Sequence, residues 1–101
     1  MIKASVMYPN SESATFDIDY YCKSHMALVQ ELFGPKVKGI SVDFGVGQPG
    51  SPAPFIAIGH VLFDSLEDFR SAMAAHGARL MADIVNYSNV RPTIQLSEVR
   101  M

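Results

Sequence analysis

The sequence is poor in residues that build covalent frameworks and charged surfaces. It holds one cysteine, Cys22, and no tryptophan. A lone cysteine forms no internal disulfide, so the fold must rest on packing. Only 18% of the 101 residues are charged, 8 basic and 10 acidic, scattered to a formal net charge of −2. No basic stripe is present to follow a phosphate backbone, which argues against nucleic-acid binding. No apolar run approaches the ~18 residues that span a bilayer. The opening Met1-Ile2-Lys3-Ala4-Ser5-Val6-Met7-Tyr8 alternates, and lacks the continuous apolar block of a signal peptide. These absences predict a cytoplasmic protein with no membrane partner. No Gly-x-Gly-x-x-Gly joins a strand to a helix, so a dinucleotide site is not expected.

What is present is a chain that is 49% apolar. Its length suits one domain over residues 1–101. A chain this short buries only about two-thirds of the surface its unfolded form exposes. The core will be thin, and a second copy is a natural way to complete it.

Residues 2–8 alternate, and Pro9-Asn10-Ser11 breaks the run, which predicts a strand and a turn. Over 18–33 the period changes. Ile18, Tyr21, Cys22, His25, Leu28, Val29 and Leu32 fall on one helical face. Asp17 can cap its start, with Phe16 packing on Tyr21 as a staple, and Gly34-Pro35 ends it. Residues 36–46 read as a second strand, and the Gly/Pro-rich stretch 47–54 as an irregular loop. Residues 55–63 are apolar on both faces, as a central strand is. Asp64 or Ser65 can cap a second helix over 65–86, with a break expected near His76-Gly77. Residues 93–99 close the chain as a strand.

Strand, helix, strand, strand, helix, strand is the α+β, ferredoxin-like βαββαβ order: an antiparallel sheet with both helices on one face. The third strand would leave an apolar patch on the open face, too large for a monomer. Two sheets packed face to face would remove it and give a homodimer.

His25 is the sharpest chemical candidate. It shares the inward stripe with Tyr21, and an imidazole with pKa near 6.5 can act as acid or base at neutral pH. The ordinary alternative is a core histidine satisfied by a carbonyl or a tyrosine. His60 follows Gly59, whose missing side chain leaves space, on a strand where it faces either the helices or the other side. His76 reads as a cap at the helix break. The three histidines lie 35 and 16 residues apart, with no ligand spacing, so no metal site is expected. A haem needs only one axial histidine, which keeps His25 open for that role alone. Cys22 has no base beside it and reads as a small buried hydrophobe. Asp83 flanks the buried stripe, where capping and loop ordering is its ordinary role. Tyr8, His60, Asp83 and Tyr87 are the candidates for contact with substrate.

Phe16-Asp17-Ile18-Asp19-Tyr20-Tyr21 followed by His25-Met26-Ala27-Leu28-Val29 resembles the helix signature of the EthD-like family. Leu62-Phe63-Asp64-Ser65-Leu66-Glu67 is similar to its strand-to-helix junction. Met81-Ala82-Asp83-Ile84, Asn86, Asn89 and Gln95-Leu96-Ser97-Glu98-Val99 resemble its C-terminal part. One departure is Ala27, where the family often has proline after His-Met. A straighter helix is expected for it. The resemblance implies a dimeric α+β barrel of eight strands from two subunits, in a superfamily with cofactor-free monooxygenases, isomerases, cyclases and haem enzymes. The name refers to ether degradation. Two functions follow. One is an enzyme without cofactor, acting on a hydrophobic small molecule in a catabolic or polyketide-type pathway by proton abstraction or oxygen insertion, with His25 as base and Tyr21 as hydrogen-bond partner. The other is a non-catalytic binding or accessory dimer for a partner oxidase.

Overall fold

The computed structural model describes all 101 residues. The alternating N-terminal run forms strand β1 (Ile2–Pro9), and the others are β2 (Gly39–Phe44), β3 (Phe55–Phe63) and β4 (Thr93–Glu98). They make one antiparallel sheet in the order β2-β3-β1-β4. Strand alternation then sorts the side chains. Ala4, Val6 and Tyr8 share one face with Ala57, Gly59, Val61 and Phe63, and the helices pack there around a core that includes Tyr21, Val29, Phe33, Ala72, Leu80 and Tyr87. Helix length and caps match the sequence signals. Asp17 accepts from Tyr20 N and Ser65 from Asp68 N. Gly34, at φ 58°, ends the first helical stretch in the left-handed region that only glycine enters freely.

Four expectations are corrected. The helix of 18–33 is not straight despite Ala27. It runs as α1 (Ile18–Tyr20), a π turn (Tyr21–His25) and α2 (Met26–Phe33). A π turn inserts one residue into the helical repeat. Buried positions are therefore Tyr21 and His25, then Met26, Val29 and Phe33, so the stripe restarts at Met26. Cys22 is turned outward and exposed, not buried. The second helix, α3 (Leu66–Asp83), does not break at His76-Gly77. Gly77 is buried, and a Cβ there would press on the Met73 side chain. His76 caps nothing and lies half-buried near Phe33, ring centroids 6.4 Å apart.

The open sheet face is more polar than the sequence alone implied. Its central strands carry Met7, Ile58 and Leu62 with Lys3, Ser5 and His60 between and beside them, and Ser41, Asp43, Thr93, Gln95 and Ser97 flank these. No helix is long and apolar enough to cross a membrane.

Candidate functional site

The site forms because two loops are stitched together. Asn89 Oδ1 accepts from Thr15 N at 2.8 Å, its Nδ2 donates to Ser13 O at 2.8 Å, and Ser88 Oγ donates to Thr15 O at 2.8 Å. Asp17 N donates to Tyr87 O at 2.7 Å. These bonds hold the start of the first helical stretch against the residues after α3. Tyr20, Tyr21 and His25 thereby meet Asp83 and Tyr87, 58 to 67 positions away in sequence.

At the centre His25 Nδ1 lies 2.9 Å from Asp83 Oδ2. The other carboxylate oxygen accepts from Tyr20 Oη and from Asn86 Nδ2, each at 2.9 Å. Burial alone would raise the Asp83 carboxyl, but the hydrogen bonds from Asn86, His25 and Tyr20 outweigh it and hold it below the usual range. An ionised carboxylate only accepts. His25 Nδ1 must then carry the ring proton and donate it, which leaves Nε2 as the bare nitrogen. Burial lowers the imidazole pKa, and the opposing pull of Asp83 is not enough to restore it. His25 is thus neutral at pH 7, oriented, and basic at one atom. The same logic orients the histidine of a Ser-His-Asp triad.

Aromatic rings wall this group. Tyr21 stacks on the imidazole with centroids 5.4 Å apart, and Tyr87 tilts against it at 4.8 Å. Tyr8 Oη and Tyr87 Oη share a short hydrogen bond of 2.6 Å. Burial pushes the phenols of Tyr8, Tyr21 and Tyr87 upward, so all three keep their protons, one of which is spent within the Tyr8–Tyr87 pair. Space for Tyr21 comes from Gly59: a Cβ there would collide with the Tyr21 hydroxyl and with Met26 Cε. Gly59 does leave room, but the phenol of Tyr21 fills it.

A cavity of about 60 Å³ lies between helices and sheet, lined by His25, Tyr8, Tyr21 and Tyr87 with apolar side chains such as Val6, Phe69 and Leu80. It has room for about five water-sized groups. A porphyrin does not fit there, so the haem reading of His25 is dropped. No group of three His, Cys, Asp or Glu is placed to hold a metal.

Of the sequence candidates, His25, Tyr21, Tyr8, Asp83 and Tyr87 converge. Asp83 does more than cap, being the partner of His25. His60 does not join them, because strand alternation puts it on the opposite face. There Ser5 Oγ lies 3.0 Å from its Nδ1 and Asp43 Oδ2 lies 3.0 Å from its Nε2. Tyr20 and Asn86 were not among the candidates. Their signal was available only in the Tyr-Tyr pair and the Asp83/Asn86 spacing.

The model of the EthD domain matches residues 10–90. No curated protein matches the chain. Among solved structures, an EthD-like protein from Ralstonia eutropha JMP134 is 40% identical, covers 99% of this chain and 92% of that chain, and superposes with a TM-score of 0.93. An ethyl tert-butyl ether degradation (EthD) family protein from Bacillus halodurans C-125 is 21% identical over 99% of both chains, TM-score 0.76. SnoaB from Streptomyces nogalater, a cofactor-independent oxygenase, shares the fold at 14% identity and TM-score 0.52, over 99% of this chain and 91% of that one. With a family model over most of its length and a 40% identical relative covering nearly all of it, this chain belongs to the EthD family.

Proposed function

We propose that the protein is a base catalyst that takes a proton from a hydrophobic small molecule whose reacting end enters the cavity beside His25. One observation carries the reading: an apolar cavity lined by an oriented neutral histidine whose Nδ1 is held by Asp83. A bare Nε2 accepts the proton of a phenol or a carbon acid, and the electron pair stays on substrate as a phenolate or enolate. One proton of the Tyr8–Tyr87 pair is spent in their mutual bond, so the other phenol of that pair and Tyr21 are the candidate donors to the developing oxyanion. Return of the proton at a different carbon completes an isomerisation; attack of the enolate carbon on a carbonyl of the same substrate, with the proton delivered to the resulting alkoxide oxygen, completes a cyclisation. With dioxygen as oxidant, the carbanion forms a hydroperoxide that loses water to leave a ketone, which is the oxidoreductase form of the reading. SnoaB, named a cofactor-independent oxygenase, makes that second route worth testing.

The test is exchange of the α-protons of 2-tetralone into D2O, followed by NMR. The protein should accelerate exchange above buffer. His25→Gln keeps volume and some hydrogen bonding, and should remove about 100-fold of the acceleration with an unchanged melting temperature. Equal exchange by parent and variant would sink the base assignment and leave the accessory binding role. The homodimer, with sheets face to face, belongs to this reading as well.

A further inference from the structure

The cavity beside His25 is too small for the molecule it is meant to serve. Sites for drug-sized ligands run to ~300–1,000 Å³, against about 60 Å³ here. Only the reacting end of a substrate fits inside. The remainder must leave past the walls, and three wall residues, Met81, Ile84 and Pro92, also line an outer groove of about 400 Å³. Two more of its residues are apolar, Val85 and Val90, and Val85 is 81% exposed. A substrate tail lying there would cover apolar surface that water now wets.

The polar side of the groove is Ser88, Asn89 and Arg91. Two of these are already occupied. Ser88 Oγ donates to Thr15 O and accepts from Val90 N, and the Asn89 amide holds Thr15 N and Ser13 O. Arg91 is different. It is exposed and takes part in none of the ion pairs, which are His25–Asp83, Lys38–Asp64, His60–Asp43 and Arg100–Glu98. Its guanidinium is the one charged group lining the groove, next in sequence to Pro92 at the cavity wall. A planar fork of five donors suits a carboxylate.

Resting on the base-catalysis reading, we propose that this groove is a subsite for the tail of an elongated apolar acid, with its ring end beside His25 and its carboxylate on Arg91. Charge then acts as the selector. A neutral molecule of the same length gains the apolar floor alone, and a cation meets repulsion at the mouth.

The probes are 6-phenylhexanoate, 6-phenylhexan-1-ol and 6-phenylhexylamine, titrated by calorimetry. The acid should bind the parent protein at least about fivefold more tightly than the alcohol, a modest factor because the pair is solvent-exposed, and added salt should reduce that preference. Arg91→Gln should remove the preference and leave the alcohol unchanged. Arg91→Glu should reverse it in favour of the amine. Both changes are at an exposed position and should leave the melting temperature unmoved. His25→Gln should still bind the acid, which separates this subsite from the base assignment. Equal affinity of acid and alcohol for the parent protein, an Arg91→Gln variant that keeps the preference, or no binding of any probe would overturn the proposal, whatever the outcome of the tetralone exchange.

Discussion

Three donors converge on one carboxylate, and that convergence decides the protonation of the site. If Asp83 had only His25 as partner, burial would favour moving the proton between them. Tyr20 and Asn86 prevent this by stabilising the anion. Two variants should shift His25 in opposite directions. Asp83→Asn removes the only influence that raises the imidazole and should lower its pKa further. Tyr20→Phe frees a lone pair of Asp83 and strengthens its pull, so the pKa should rise. NMR titration of the ring protons reads both, and shifts of the same sign would refute this account of Tyr20. The pH dependence follows in sign. His25 titrates below the ordinary value near 6.5, so activity should be flat through neutrality and fall only on acidification. Stability changes in the same direction. The unfolded chain takes up the His25 proton before the folded one does, so stability falls as pH drops from 6.5 toward the folded pKa. The depressed carboxyl of Asp83 adds a second loss as pH falls through and below the ordinary carboxylate range. His25 and Tyr21 were legible in the sequence because both lie on the helical stripe. Tyr20 was not, because its role comes from a loop pairing with residues some 60 positions on.

At the scale of elements, the strands, their order and the helix caps were legible, since alternation and capping are local signals. The π turn was not. Its i→i+5 bond, from Met26 N to Tyr21 O, leaves no composition signature. The consequence was a wrong face for Cys22, because a plain 3.6-residue repeat places it beside Tyr21 and His25. Cys22 should therefore react with a maleimide in the native protein at a rate near that of the unfolded chain. Cys22→Ser should alter stability by no more than about 0.5 kcal/mol, as for an exposed substitution. Protection of the thiol in the native state would restore the buried reading. Gly59 is the reverse case, a strand glycine legible as open space, whose Cβ position is taken by the Tyr21 hydroxyl. Gly59→Ala must push Tyr21 away from β3, and should cost about 1–3 kcal/mol in urea unfolding. It should also disturb the imidazole that Tyr21 stacks upon, read as a changed His25 shift. A stability loss below about 0.5 kcal/mol would mean that Tyr21 can leave freely.

For the whole molecule the decisive quantity is surface. The chain exposes 6274 Å², while a compact monomer of its mass exposes about 5,700 Å² by the usual scaling. Its radius of gyration is 13.7 Å, against about 12.7 Å for a compact domain of this length. The narrowest extent, 19 Å, is that of two layers, helices on one side and bare sheet on the other. Burial agrees, with 17 of 101 residues inside. A second copy on the open face would cover Met7, Ile58 and Leu62, and a standard interface removes about 800 Å² from each partner, comparable with the excess. Of the polar residues on that face, Ser5, His60 and Asp43 already satisfy one another across β1, β3 and β2, which lowers the cost of covering them. Sedimentation equilibrium at micromolar concentration should therefore give twice 11.1 kDa. Ile58→Glu puts a carboxylate where each sheet would meet its mate and adds like charge beside Asp43, its neighbour in register. That variant should sediment as a monomer with its near-ultraviolet circular dichroism retained, because Ile58 lies on the face away from the core. A parent protein that is monomeric, or an Ile58→Glu variant that stays dimeric, would place any self-association elsewhere and leave the open sheet face to water.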